Sequence, residues 1–283
     1  MDKIQELLSA GDVLEALHQP GSTEEEFYDE AINRIHSDSR TASGIRRHLG
    51  FRILGWVLRA TRPLEFKELQ AALAMSASMA SKSNVTKSLD VYNIKEQDLL
   101  TACHGLIVIE SKTRLVTFAH ATVKEYMHAG VKKFPFAIDE ELAKTCLSYI
   151  SRDVFASGPC EDDETFASRM HNNPFYSYAT QYWGGHVRGE KLESALKENV
   201  LEFLGSNDLI LSSVQAKCIE ENHYTFSGRS QSYTKHVNGL WVASFVGLYY
   251  IATALINKNA NVNAQDGTGR TALMIAAMEG HTS

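Results

Sequence analysis

The C-terminal part of the chain repeats itself. Leu240, Ala243 and Gly247 recur as Leu273, Ala276 and Gly280, each displaced by 33 residues; Ser244 falls against Ala277 and Leu248 against His281 at the same offset. A fixed period of that size marks a solenoid, in which each unit buries its apolar face only against a neighbour. About three units are needed for such an array to stand alone. Residues 239–283 hold one and a half, ending before the outer helix of the second unit. The repeat therefore predicts either a tail that leans on the residues before it or a longer array. The same register explains the run at 240–256, which has 17 residues and no charge. That is the lower length limit for a membrane span, and the repeat predicts instead two short helices broken at Gly247.

The remaining composition narrows the class. The chain has 283 residues, 44% hydrophobic and 22% charged, enough for about two domains with real cores and against intrinsic disorder. Lys and Arg total 28 against 34 Asp and Glu, so no overall basic field draws it to a polyanion. Its four cysteines, at 103, 146, 160 and 218, lack metal-site or redox-motif spacing and read as reduced thiols of a cytoplasmic protein. Residues 1–20 alternate charged and apolar positions and do not form a secretory signal.

Upstream of the repeat the pattern is mostly helical. Residues 24–36 place Phe27, Ala31, Ile32 and Ile35 at helical spacing behind an acidic first turn. A polar linker is expected at 37–44. Residues 50–60 carry a stripe of Phe51, Leu54, Val57 and Leu58, stopped before Pro63. A second helix follows with Phe66, Leu69 and Leu73 on one face, then a serine-rich surface loop at 76–93. A third helix, 94–105, closes on Gly105 as a left-handed stop.

There the period changes. Residues 106–110 and 114–118 are short β-rich runs separated by Ser111, Lys112 and Thr113, which predicts a hairpin. Three helices and a two-stranded wing make a winged-helix domain. Thr122 and Glu125 have the spacing of a capping box, starting a helix that runs to about Met127. Further helices are expected at 139–150 (Leu142, Cys146, Ile150), through the aromatic stretch Tyr176, Tyr178, Tyr182 and Trp183, and over 190–204 and 207–222. Residues 161–164 read as an acidic helix start or a solvated loop. The fold class is mainly α. It comprises a helical segment (1–43), a winged helix with a small β-hairpin wing (44–130), an α-helical layer (131–238) and a partial repeat solenoid (239–283).

The tail resembles the ankyrin repeat. Leu255-Ile256, Ala260-Asn261-Val262-Asn263 and Gly269-Arg270-Thr271-Ala272-Leu273 through Gly280-His281 follow its consensus. Trp241 and Met274 stand where that repeat usually has His, Ala272 where it has Pro, and Asn259 where it has Gly. The whole order of parts resembles the post-NTPase half of fungal NACHT–ankyrin proteins, members of the signal-transducing NTPase (STAND) class. The likeness is carried by Phe27-Tyr28-Asp29-Glu30-Ala31 with Arg34-Ile35, by Arg62-Pro63-Leu64 with Glu68-Leu69 and Ala72-Leu73, and by Cys103-His104-Gly105-Leu106. Phe118-Ala119-His120 with Glu125-Tyr126-Met127 continues it, as do Leu142-Ala143, Cys146-Leu147, Tyr149-Ile150, Pro174-Phe175, Tyr178-Ala179 and Trp183-Gly184 with His186. A related winged helix carries the name of a GPI inositol-deacylase, but the chain has no G-x-S-x-G nucleophile elbow. Glu65 departs from the family, which usually has a small hydroxyl residue there as a helix cap; the loss is about 1 kcal/mol of local helix stability.

Function follows from what is present and what is missing. No G-x-x-x-x-G-K-[ST] loop occurs, so the chain is expected not to hydrolyse ATP or GTP. The resemblance assigns to His120 a contact to the β-phosphate of bound ADP, as in related NTPases, if a phosphate-binding loop is supplied by a partner. The plainer reading is a histidine beside the helix cap, bonding a neighbouring carbonyl. Ankyrin arrays bind proteins through hairpin tips and inner helices, which makes Asp266, Thr268 and Arg270 the candidate interaction tip. Gly267 and Gly269 allow the alternative that this tip only shapes the turn. His171, His186, His223 and His236 lack ligand spacing, so no metal is expected; no cofactor and no catalytic nucleophile are predicted either. The runner-up is a DNA-binding regulator. Its third helix offers Lys95 against Glu96 and Asp98, and its wing Lys112 and Arg114 beside Glu110, a near-neutral face that argues against nucleic acid. The expectation is a non-enzymatic, cytoplasmic, protein-binding scaffold of a NACHT–ankyrin receptor-like protein. Its partners would be proteins held on the ankyrin surface and a NACHT domain in trans.

Overall fold

The computed structural model describes residues 24–41, 48–80, 94–129, 137–221 and 228–281. The N-terminal 1–20 stretch, the end of the expected linker (42–44), residues 81–93 of the serine-rich loop and His223 lie outside them. The chain forms two compact units, 1–138 and 139–283.

The first unit opens with α1 (Glu24–Thr41), whose first turn carries Glu24, Glu25 and Glu26 at the positive end of the helix dipole. Its buried face is Tyr28, Ala31, Ile32 and Ile35. Tyr28 thus takes the place expected for Phe27, and the helix runs on through residues 37–41, where a linker was expected. Helix α2 (Leu49–Arg59) is the hub. It buries Phe51, Ile53, Leu54, Trp56 and Leu58, and packs against α1 and against the elements that follow. A helix apolar on most sides needs neighbours on most sides.

After Pro63 the chain enters β1 (Leu64–Glu65) and then α3 (Phe66–Ala80), so residues 76–80 of the expected loop are helical. Helix α4 (Glu96–Ala102) ends on His104 and Gly105, both with positive φ. Strands β2 (Ile107–Ile109) and β3 (Leu115–Phe118) form the wing, with Ile107 opposite Phe118 and Ile109 opposite Val116. The wing has a third strand that two-residue patterning could not announce: β1 pairs antiparallel with β3, Leu64 against Val116, giving the order β1-β3-β2. Helix α5 (Ala121–Ala129) returns to pack on α1 and α2.

The second unit contains the helical layer and the repeats together. Helix α6 (Ile138–Ile150) buries Leu142, Cys146 and Ile150 as its spacing predicts. Asp162 caps α7 (Asp163–Asn172), accepting from the Thr165 amide at 2.7 Å, so the acidic run at 161–164 is a helix start. In α8 (Tyr176–Val187) the aromatic stretch is core: Tyr176, Tyr178 and Trp183 are buried, and Tyr176 stacks on Phe155 with ring centroids 3.8 Å apart. The stretch 190–204 breaks at Leu196 into α9 (Glu190–Ala195) and α10 (Lys197–Gly205), followed by α11 (Asn207–Glu221).

The repeats supply α12 (Gly239–Phe245), α13 (Tyr249–Asn257) and α14 (Ala272–Met278). The break between α12 and α13 falls at Gly247, whose φ is 73° and whose missing Cβ leaves room for the His281 ring; a Cβ there would lie 2.7 Å from it. Asn259, at the position usually held by Gly, adopts φ 63°, a conformation Asn tolerates better than most residues. Helix α12 packs on α10, α11, α13 and α14. The partial array leans on the helical layer.

Candidate functional site

In the first unit His120 stands at the N-cap of α5. Its Nδ1 accepts the Thr122 amide N–H at 3.3 Å and lies 2.8 Å from the Thr122 hydroxyl. An accepting Nδ1 has no proton, so Thr122 donates its hydroxyl to the ring and receives the Tyr28 hydroxyl at 2.6 Å. The expected capping box is replaced by this arrangement. Thr122 lies inside the helix and reaches α1, and His120 performs the cap. The ring also borders a cleft of about 300 Å³ whose lining includes Arg62, Thr117 and Lys124.

Arg62 is itself held. Its two terminal nitrogens fork onto the Glu68 carboxylate at 2.8 and 2.7 Å, and Glu68 Oε2 accepts the Glu65 amide at 2.9 Å. The N-terminus of α3 is thus closed from its third position, without the small hydroxyl that Glu65 replaces. The wing's Arg114, whose carbonyl accepts the Phe66 amide at 2.9 Å, is ion-paired with Glu96 of α4, and Thr113 donates to Glu110 at 2.5 Å. Arg114, one of the cations a DNA reader would present, is thus balanced by a neighbouring acid.

In the second unit the predicted tip is a compact knot. Asp266 is 5% exposed. Its Oδ1 accepts from the Thr268 amide at 2.8 Å, the Thr268 hydroxyl at 2.7 Å and the Arg270 amide at 3.0 Å. Its Oδ2 accepts from Arg270 Nε and Trp241 Nε1, each at 3.2 Å. Burial raises the carboxyl's pKa, but the Thr268 and Arg270 donors and the guanidinium charge outweigh it and hold it at about 2. The three residues come together, but as the inside of a turn. Asp266 organises the tip and faces inward, leaving exposed Thr268 and half-buried Arg270 at the surface. The Gly267 amide also donates to the Lys235 carbonyl at 2.7 Å, tying the tip to the segment before α12.

Between α12, α13 and α14 lies an apolar groove of about 400 Å³, bordered by Leu240, Leu248, Ile256, Leu273 and His281. Leu273 on this lining is 78% exposed. His281 Nε2 donates to the Phe245 carbonyl at 3.2 Å, joining the second repeat to the first.

Two functional-looking residues have no sequence signal. Trp241 stands in the sequence only as a departure from the repeat, with no hint of its Asp266 partner, and nothing marks Glu193, yet Glu193 is 1% exposed. His186, weighed as a ligand, is paired through Nε2 with the Tyr178 hydroxyl at 2.8 Å, and burial lowers its pKa to about 4. Burial pushes the Cys103 and Cys146 thiols far up, away from nucleophilic thiolate chemistry. Among the described residues no group of three or more His, Cys, Asp and Glu converges to hold a metal. No helix among them is long and apolar enough to cross a membrane.

Comparison with curated proteins and with solved structures gives no match. Residues 38–139 match the family described as GPI inositol-deacylase, winged helix domain, which brackets the elements from α2 to α5. Residues 248–283 match the family of ankyrin repeats (many copies), covering α13, the tip and α14. The chain is mainly helical, with a winged helix of that type followed by ankyrin repeat sequence.

Proposed function

We propose that this chain is a non-enzymatic regulatory scaffold that binds proteins through its ankyrin face. It serves as the signalling half of a NACHT–ankyrin receptor-like protein acting in the cytoplasm. The observation that carries this reading is the ankyrin repeat match over residues 248–283, together with the compact Asp266 turn that leaves Thr268 and Arg270 at the surface. Ankyrin-type arrays bind proteins through such tips. The winged helix and helical layer are then the clamp of a NACHT-type NTPase, in cis in a longer chain or in trans.

A second element of this reading concerns His120. Its ring borders the cleft lined by Arg62 and Lys124, a setting that supports a phosphate contact once a partner supplies the backbone cradle. The DNA-binding alternative is disfavoured by the Arg114–Glu96 pair.

The test is titration calorimetry of the purified chain with an ADP-loaded NACHT-type NTPase domain and with ADP alone. Binding to the loaded domain, weakened by Lys124→Ala, is the expected result. Equal binding of duplex DNA in a salt-sensitive shift would move the assignment to transcription. Reading the transcript around both ends decides between cis and trans.

A further inference from the structure

The helical layer and the first repeat meet at a seam where a buried charge is matched to a helix end. The Glu193 carboxylate, projecting from α9, accepts the amides of Tyr250 and Ile251 at 2.8 and 3.1 Å through Oε2. Its Oε1 accepts the Gly189 amide at 3.1 Å. Those amides are among the orphan donors of the first turn of α13, and a carboxylate there is also favoured by the helix dipole. A buried carboxylate is costly unless its lone pairs are satisfied. Here all three recorded donors are backbone groups, two of them from the other side of the seam, so the charge is accommodated only while α9 and α13 stay together.

Two further contacts close the same seam. Arg188 Nη2 donates to the Val246 carbonyl at 2.7 Å, just past the last residue of α12. Gly184 of α8 lets Val246 pack directly on its backbone; a Cβ at Gly184 would lie 2.4 Å from Val246 Cβ. Three consecutive elements of the layer, α8, the α8–α9 turn and α9, therefore each hold the turn between α12 and α13.

The geometry points to Glu193 as the coupling residue that makes the helical layer and the ankyrin array one cooperative body. A protein captured on the array, as the proposed function has it, then acts on the layer through this seam. The layer also serves as the array's N-terminal cap, which leaves partner recognition to the tips and to the α14 face. Removing the carboxylate leaves the Tyr250 and Ile251 amides without their acceptor, and the two sides are then expected to loosen together.

The experiment is hydrogen exchange and thermal unfolding of the full chain and of Glu193→Gln. Glutamine keeps the shape but turns an N–H donor toward backbone donors. The expected result is exchange at the Tyr250 and Ile251 amides about tenfold or more faster, from the loss of charge-assisted hydrogen bonds, with α14 loosening alongside and α6 unchanged. Unchanged exchange at α13 and α14 in Glu193→Gln overturns the proposal. Arg188→Ala, which introduces no buried defect, gives a second reading should Glu193→Gln not fold. Faster exchange of α12 and α13 with α6 protected supports the seam, and acceleration confined to the Val246 turn overturns it. The measurement needs no partner, so an array that binds no protein would sink the proposed function and leave this result standing.

Discussion

The indole Nε1 of Trp241 donates to the carboxylate of Asp266, joining α12 of one repeat to the hairpin tip of the next. Both residues are buried, and the bond spans the position where an ankyrin repeat usually has histidine. Trp241→Phe keeps the packing and removes the donor, and should cost about 1–2 kcal/mol. Asp266→Ala removes the acceptor of five hydrogen bonds and should cost more. Urea unfolding checks the order; a larger loss in Trp241→Phe would mean the tip does not depend on Asp266.

Acid should weaken the second unit before most carboxylates titrate. His186 is held neutral by burial, with a folded pKa of about 4 against 6.5 when exposed. Between those values the unfolded chain binds a proton that the folded chain refuses, so stability is full above pH 6.5 and falls as pH drops toward 4. The loss should reach about 2 kcal/mol by pH 5. Melting curves from pH 7 to 5 should show it, and His186→Gln should flatten the slope over that window. Asp266, with its depressed pKa, contributes a separate loss only at lower pH, as it falls through about 2.

The cap on α5 separates two roles for His120. As a cap it can be replaced by another short acceptor, so His120→Asn should retain stability while His120→Ala loses about 1 kcal/mol. Thr122→Val, which cuts the link to Tyr28, should destabilise the first unit similarly. If His120→Ala and His120→Asn unfold alike, the imidazole is not acting as the cap.

The Arg62–Glu68 fork should matter through its geometry. Arg62→Lys keeps the charge but cannot place two parallel donors on the carboxylate. It should lower the melting temperature of the first unit, and Glu68→Gln should lower it further because the Glu65 amide also loses a charged acceptor. Equal stability of wild type and Arg62→Lys would show that one point charge suffices.

Much of the architecture was legible along the chain because it is written in averages. The 33-residue offset, the apolar stripes of α2 and α6 and the change from helical to alternating period at Leu106 each rest on several residues. Losing one leaves the pattern intact. Asn259 could likewise be read locally, since a left-handed residue at a turn is a property of that residue and its neighbours.

The site was only half legible. Asp266, Thr268 and Arg270 do come together, but sequence spacing could not say that the Asp266 carboxylate turns inward, because that depends on Trp241 arriving from the preceding repeat. The same limit hid β1, two residues whose only signature is the partner strand 52 positions later, where Leu64 faces Val116. Thr122 had the spacing of a capping box and lost that role because Tyr28, 94 residues away, competes for its hydroxyl. Glu193 carries no local signal at all.

Sequence by itself determined most of the helices, the wing hairpin, their order and the repeat, since helix, strand and turn preferences act over a few neighbouring residues. Tertiary structure alone decided which polar side chains became structural. A buried carboxylate or imidazole is tolerated only where distant donors satisfy it, and those donors are assembled by the path of the whole chain.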